Sequence, residues 1–160
     1  LDAWNTKHPG YAAVHRVLAS AYMNTGQTKR ATDAHIAYVK KHPKDARMIN
    51  NLALLYQDQN DGKAIEFAER ALKLDPENAS VLDTYGWILV QRGDAVKGLR
   101  YLREAQTRAA KQLDVRYHIA VALNKLGRNK EANRELEAIL GKSVKYQSKQ
   151  AAQALYKRLQ

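Results

Sequence analysis

One pattern of residues returns along the chain at an interval of 33 or 34 residues. Pro9, Pro43 and Pro76 are 34 and 33 residues apart, and Ala31 and Ala64 are again 33 apart. Each interval holds two helical patterns separated by a turn, and the first of these patterns reads "AAVHRVLASAYMNTG", "ARMINNLALLYQDQN", "ASVLDTYGWILVQRG" and "LDVRYHIAVALNKLG" in successive intervals. A helical hairpin cannot bury both of its faces alone, so neighbouring hairpins must stack on one another. The repeat therefore predicts an all-α solenoid.

The spacing and the residues at fixed positions resemble the tetratricopeptide repeat, a family of helical hairpins about 34 residues long. The matching residues include Leu18, Ala19, Tyr22, Gly26 and Ala31 in the first interval, Leu52, Ala53, Tyr56 and Ala64 in the second, Gly86, Leu89, Gly93, Leu102 and Ala105 in the third, and Ile119, Ala120, Leu123, Gly127, Ala132 and Leu136 in the fourth. The resemblance implies a right-handed superhelical solenoid. It divides the chain into the tail of a preceding repeat helix (1–9), four repeats (10–43, 44–76, 77–110 and 111–141) and a C-terminal capping helix (142–160). We expect the chain to begin inside a longer array.

Small residues and turn residues give this prediction its physical basis. Small side chains at four equivalent positions allow paired helices to approach closely: Ala19, Ala53, Gly86 and Ala120. The turn glycines can adopt the left-handed conformation that ends a helix, and three polar residues are placed to cap the helix that follows: Gly26, Gly93 and Gly127, then Asp61, Asp94 and Asn129. Gly98 replaces the usual packing alanine, and we expect it to loosen the local geometry.

The resemblance also implies a binding surface. In tetratricopeptide proteins the first helix of each repeat lines a concave groove, and eight residues here map onto groove positions suited to a protein or peptide partner: Arg16, Arg47, Asn50, Asp83, Trp87, Gln91, Tyr117 and Asn124. Trp87 is the strongest candidate for an anchor, framed by Asp83, Tyr117 and Asn50. Its indole either packs on a neighbouring first helix, near Val121 or Leu54, or contacts a partner, and the sequence leaves both interpretations open.

Signals of catalysis are absent from the sequence. It has no phosphate-binding loop, no dinucleotide fingerprint, no zinc-protease motif, no nucleophile elbow and no cysteine. The five histidines are not paired at the i, i+4 spacing of metal ligands, so we expect them to be solvated or in the core. Ser80, His118 and Asp83 could be drawn as a triad, but no motif supports this. We therefore predict a protein that is not an enzyme and has no metal or cofactor.

Positive charge is concentrated near the end of the chain. The formal net charge is +11, and residues 111–160 carry eleven Lys and Arg against four Asp and Glu. These cations are not interleaved with aromatic residues as in single-strand binders, and no motif for specific nucleic-acid recognition occurs. We expect solvated helix faces, with capture of an anionic polymer such as a polysaccharide as the alternative. No apolar run is long enough to cross a bilayer.

A narrower resemblance covers roughly residues 48–140. The phrases "NNLALLY", "VLDTYGWILVQRGDAVKGLRYLREA" and "DVRYHIAVALNKLGRNKEANRELEAIL" are similar to the C-terminal units of bacterial repeat proteins from exopolysaccharide production and export, including the lipoprotein of the PEP-CTERM system. This resemblance implies a protein-protein scaffold in a cell-envelope assembly, with the repeats facing the periplasm. The residues themselves are also compatible with a cytoplasmic location.

Overall fold

The computed structural model describes Thr25, residues 27–141 and residues 146–160. These residues form eight helices and no strand, which confirms the all-α prediction for this part of the chain. The helices are α1 (Thr28–Lys41), α2 (Ala46–Asp58), α3 (Lys63–Leu74), α4 (Ala79–Gln91), α5 (Ala95–Arg108), α6 (Leu113–Lys125), α7 (Asn129–Leu140) and α8 (Lys149–Leu159). The expectations for 1–9 and for the first helix of the 10–43 repeat lie outside the described residues.

The chain divides into two compact units, an N-terminal unit (1–76) and a C-terminal unit (77–160). In the N-terminal unit, α2 packs against both α1 and α3. Asp45 begins α2 as its N-cap, because its carboxylate accepts a hydrogen bond from the backbone N–H of Met48 and another from the Tyr38 hydroxyl. The core of this unit is largely aliphatic, with Tyr38 and Tyr56 also buried, and its fully buried residues include Ala31, Ile49, Leu52, Ala53, Ala64 and Ala68.

The C-terminal unit holds two hairpins and a final helix. α4 pairs with α5 and α6 pairs with α7, while α5 contacts α6 and α8 packs against α7 and α6. Ala152 and Leu155 are the buried residues of α8, and the backbone N–H of Ser148 donates to the Asp114 carboxylate at 2.8 Å. α8 is therefore attached both by its apolar face and at its first turn.

Two helices of the C-terminal unit approach closely at a pair of glycines. A Cβ atom added to Gly86 would lie 2.9 Å from the carbonyl oxygen of Gly98, and one added to Gly98 would lie 2.5 Å from Cγ2 of Val90 and 2.7 Å from the carbonyl oxygen of Gly86. No side chain fits at either distance. The expectation that Gly98 loosens the local geometry is therefore wrong, because its missing side chain lets α4 and α5 come together.

The turns follow the predicted chemistry except at two of the predicted caps, Asn129 and Asp61. Gly93 and Gly127 have left-handed φ values of 97° and 74°, and Asn60 has a φ of 54° where the second repeat lacks its turn glycine. Asp94 caps α5 by accepting from the backbone N–H of Lys97. Asn129 does not cap α7, because the helix begins one residue earlier than expected, with Arg128 at the N-cap and Asn129 as the first helical residue. Asp61 accepts from the N–H of Lys63 while Gly62 holds the N-cap position of α3.

Candidate functional site

An aromatic cluster joins α4 to α6 within the C-terminal unit. The indole of Trp87 stacks on the imidazole of His118, with ring centroids 4.2 Å apart and planes inclined by 21°. The ring of Tyr117 lies 6.1 Å from the indole centroid and 5.8 Å from the imidazole centroid. All three side chains are half-buried. The indole of Trp87 therefore packs on His118, and part of the aromatic surface of the cluster stays exposed to solvent.

A carboxylate fixes the orientation of the histidine in this cluster. Nδ1 of His118 lies 2.7 Å from Oδ1 of Asp83, which is one turn before Trp87 on α4. A carboxylate oxygen accepts, so Nδ1 carries the proton in this pair. The Asp83–His118 hydrogen bond thus ties α6 to α4 and holds the imidazole against the indole.

The cluster continues along α6 towards the C-terminal helix. Burial raises the pKa of the Tyr117 hydroxyl, while the nearby positive charge of Arg158 on α8 acts in the opposite direction. The guanidinium of Arg158 donates to Oδ1 of Asn124 at 3.3 Å, and Nδ2 of Asn124 donates to Oδ1 of Asn129 at 2.9 Å. Asn124 is therefore already engaged in hydrogen bonds within the unit.

The predicted groove residues fall into separate groups. Asp83, Trp87 and Tyr117 come together in the aromatic cluster, Asn124 lies further along α6, and Gln91 is exposed one turn after Trp87. Arg47 and Asn50 belong to the N-terminal unit, and Arg16 lies outside the described residues.

The prediction of an open groove position at Asn50 is wrong. Its side chain is only 5% exposed, and its Oδ1 has no hydrogen-bond partner among the residues that the structure describes. The physical reason is its position one turn before Ala53, beside the buried stripe of α2.

His118 is the residue that the sequence-based site omitted. It directly follows Tyr117, which is one of the predicted groove residues. Its hydrogen-bond partner, Asp83, is 35 residues away in the sequence. Of the two interpretations left open for Trp87, packing on a neighbouring first helix near Val121 or Leu54 is seen in part, because the indole stacks on His118 of α6, the helix that also carries Val121. Contact with a partner stays a prediction.

The arrangement does not form a recognisable catalytic or metal centre. Ser80 is exposed in the first turn of α4, where its backbone N–H is held by the Asn78 cap. Within the described part of the chain, no group of three or more His, Asp or Glu side chains is placed to hold a metal ion. Asp83 and His118 are instead explained by the support they give to the aromatic cluster.

Comparison with known proteins decides the family. A family model described as tetratricopeptide repeat matches residues 51–144, which is more than half of the chain. The chain belongs to the tetratricopeptide repeat (TPR) family. TPR domains bind protein partners, and TPR proteins are generally non-catalytic scaffolds.

Three similar proteins are informative. A TPR repeat-containing protein of Pseudomonas aeruginosa is 25% identical over 145 residues, which covers 68% of this chain and 25% of that protein, so the chain spans a quarter of the relative's length. The structure of a thermophilic TPR protein of Thermus thermophilus superposes with a TM-score of 0.78 at 16% identity, covering 99% of this chain and 86% of the other. The structure of PilW, a type IV pilus biogenesis factor, gives a TM-score of 0.75 at 23% identity, covering 81% and 60%. At these identities the two structures show the fold alone.

Among the residues that the structure describes, no helix is both long and apolar enough to span a membrane.

Proposed function

We propose that this chain is a non-catalytic interaction module of a bacterial cell-envelope assembly, such as one for exopolysaccharide production or export. Its partner is a protein or peptide. Its main contact surface in the C-terminal unit is the aromatic cluster of Trp87, Tyr117 and His118, together with Asp83. The observation that carries the proposal is the stacked, half-buried indole on α4, held in place by a histidine from the next first helix.

The indole of Trp87 is pre-organised for contact with a partner. A Trp whose orientation is already fixed loses little conformational entropy when a partner covers it, and buried aromatic side chains dominate the binding energy of most interfaces. Tyr117 adds a second aromatic surface on α6. The Asp83–His118 pair supplies polar groups beside the rings, which suits a partner segment with both apolar and hydrogen-bonding side chains.

The envelope setting is supported by two kinds of likeness. The narrower sequence resemblance is to envelope repeat proteins of exopolysaccharide systems, and one of the similar structures is a type IV pilus biogenesis factor.

We assign the basic C-terminal region to solvated and internally paired faces. Arg116 contacts Glu135 at 2.9 Å and Arg128 contacts Glu131 at 2.7 Å, so part of the positive charge is already balanced. This leaves capture of an anionic polymer as the alternative to be excluded by experiment.

Site-specific photo-crosslinking in cells tests the proposal. A photoreactive residue at Gln91, which is exposed on α4, should form an adduct with an envelope protein in the native host, and Trp87→Ala should abolish it. The matched control is a photoreactive residue at Val96, which is 71% exposed on α5. Added NaCl should leave the Gln91 adduct in place, because an aromatic contact is screened little compared with polymer capture. Identical adducts from Gln91 and Val96, or an adduct that survives Trp87→Ala, would count against the proposal.

A further inference from the structure

A second surface lies in the N-terminal unit. It is a groove of about 340 Å³ whose walls are α1 and α3 and whose floor is α2. The groove is lined by Ile36, Val39, Lys40, Pro43, Leu52, Tyr56, Phe67 and Arg70. Its volume falls in the range of small binding sites.

The floor and walls of this groove are apolar and partly aromatic. Leu52 and Tyr56 are buried beneath it, and the Tyr56 and Phe67 rings lie 5.3 Å apart. Phe67 itself is half-buried on the α3 wall. Leu74 follows Phe67 by two turns of α3 and is 39% exposed. Residues two turns apart share one helix face, so Leu74 extends the apolar surface beyond the groove.

The charge at the mouth of the groove has one sign. The lining includes two cations, Lys40 and Arg70, and no carboxylate. Arg70 donates to the carbonyl oxygen of Pro43 at 2.6 Å, which holds its guanidinium at the groove. A guanidinium has five N–H donors, so this bond leaves others for a carboxylate. Lys63 adds a third cation, with Nζ 5.4 Å from the Tyr56 ring centroid.

We propose that this groove, together with Leu74, binds a short segment of a partner protein that carries a large apolar side chain next to an acidic one. The apolar side chain enters between Val39 and Phe67, and the carboxylate pairs with Arg70 and Lys40. A charge-assisted pair with arginine fixes the direction of the segment as well as adding affinity. This proposal does not depend on the aromatic cluster of the C-terminal unit.

Charge argues for this occupant over a second copy of the chain. The chain carries a net charge of +11, and a basic groove mouth attracts an acidic segment while repelling a strongly basic molecule. Leu74 lies outside the groove, two turns after Phe67 on α3, and its exposed side chain suits an extended segment that runs across the surface.

Selection from a display library of random short peptides tests the proposal, because the library samples every combination of apolar and charged side chains. The full chain is the target, and peptides retained by a Lys40→Glu, Arg70→Gln double variant are removed by counter-selection. The control variant is Lys130→Glu, which removes an exposed lysine on α7 of the other unit. Circular dichroism first confirms that the variants, which change only exposed or half-buried side chains, remain folded.

The selected peptides should combine a Leu, Ile, Met or aromatic residue with an adjacent Asp or Glu. Their Kd should rise at least about tenfold on the double variant and stay unchanged on Lys130→Glu, since two charge-assisted contacts are lost only in the first. Peptides in which the acid is replaced by its amide, or the apolar residue by Ser, should lose binding. The proposal is overturned if no peptides are enriched, or if the enriched peptides lack acidic residues. It is also overturned if the peptides bind the double variant as tightly as the parent, or if sedimentation shows that a second copy of the chain occupies this groove.

Discussion

At Gly98 the absence of a side chain sets how closely two helices approach. The sequence has a glycine where the family usually has alanine, which predicts looser packing. What could not be read from sequence is that Gly86 lies directly opposite on α4, so that the two glycines together bring the backbones into contact. The same limit applied to His118, because a side-chain contact over 35 residues has no local signature.

Substitution of Gly98 tests this interpretation. Gly98→Ala should lower the free energy of unfolding by about 1 to 3 kcal/mol, because the new methyl must displace Val90 or the Gly86 backbone. That cost outweighs the helix-propensity gain of about 1 kcal/mol from glycine to alanine. The matched control is Gly141→Ala, where φ is −74° and a Cβ meets nothing within 4 Å, so stability should hold or rise slightly. Equal effects in urea denaturation would show that α4 and α5 are not closely packed there.

His35 provides a pH-dependent prediction for the N-terminal unit. The side chain is 1% exposed, and burial lowers its pKa below the ordinary 6.5, while the hydrogen bond from Nδ1 to the Ala31 carbonyl oxygen acts in the opposite direction. The unfolded chain therefore takes up a proton first as pH falls below about 6.5, and the stability of the folded state decreases from there towards the lower folded pKa.

His35→Asn should remove this pH dependence of the folded state's stability while keeping an N–H group near the position of Nδ1. The measurement is urea denaturation of parent and variant from about pH 7 to pH 5, where the ordinary histidine titrates. The parent should lose stability on acidification more steeply than the variant. Identical slopes would mean that His35 titrates alike in the folded and unfolded chains.

At the scale of elements, the carboxylate of Glu135 connects three helices. It projects from α7 and accepts hydrogen bonds from Arg103 on α5 and Arg116 on α6, and its side chain is only 12% exposed. The helices themselves could be predicted, since turn residues and apolar periodicity recur at a fixed interval. The ion pairs across them could not, because i, i+3 and i, i+4 rules describe only neighbours on one helix.

Replacement of Glu135 tests its role between helices. Glu135→Gln keeps the size of the side chain but leaves two guanidinium groups with a neutral partner, and it should reduce the free energy of unfolding by about 1 to 3 kcal/mol. Glu131→Gln is the matched control, because Glu131 pairs with Arg128 three residues earlier at an exposed position and should matter little. Chemical denaturation that ranks the two variants in the opposite order would refute this account.

At the scale of the whole molecule, the repeat interval predicts the all-α class and carries the resemblance to the tetratricopeptide repeat. The placement of Asp83, Trp87 and Tyr117 on two neighbouring first helices also followed from the family pattern, because equivalent positions recur one repeat apart. The burial of Asn50 could not be predicted in this way, since Asn50 lies at the edge of the buried stripe of α2 and its exposure depends on which residues pack there. The same limit applies to the groove between α1 and α3, whose cations lie 30 residues apart in sequence and meet only through tertiary packing.

Affinity and stability measured on one variant, Trp87→Ala, with the partner captured at Gln91 show whether the aromatic cluster is a binding surface. We expect the Kd to rise by about thirtyfold, equivalent to about 2 kcal/mol, which is the effect of a hot-spot residue. The free energy of unfolding should fall by less than this, because the indole is only half-buried and packs on a single aromatic partner, His118. A folded but destabilised Trp87→Ala protein that binds this partner as tightly as the parent would contradict the account.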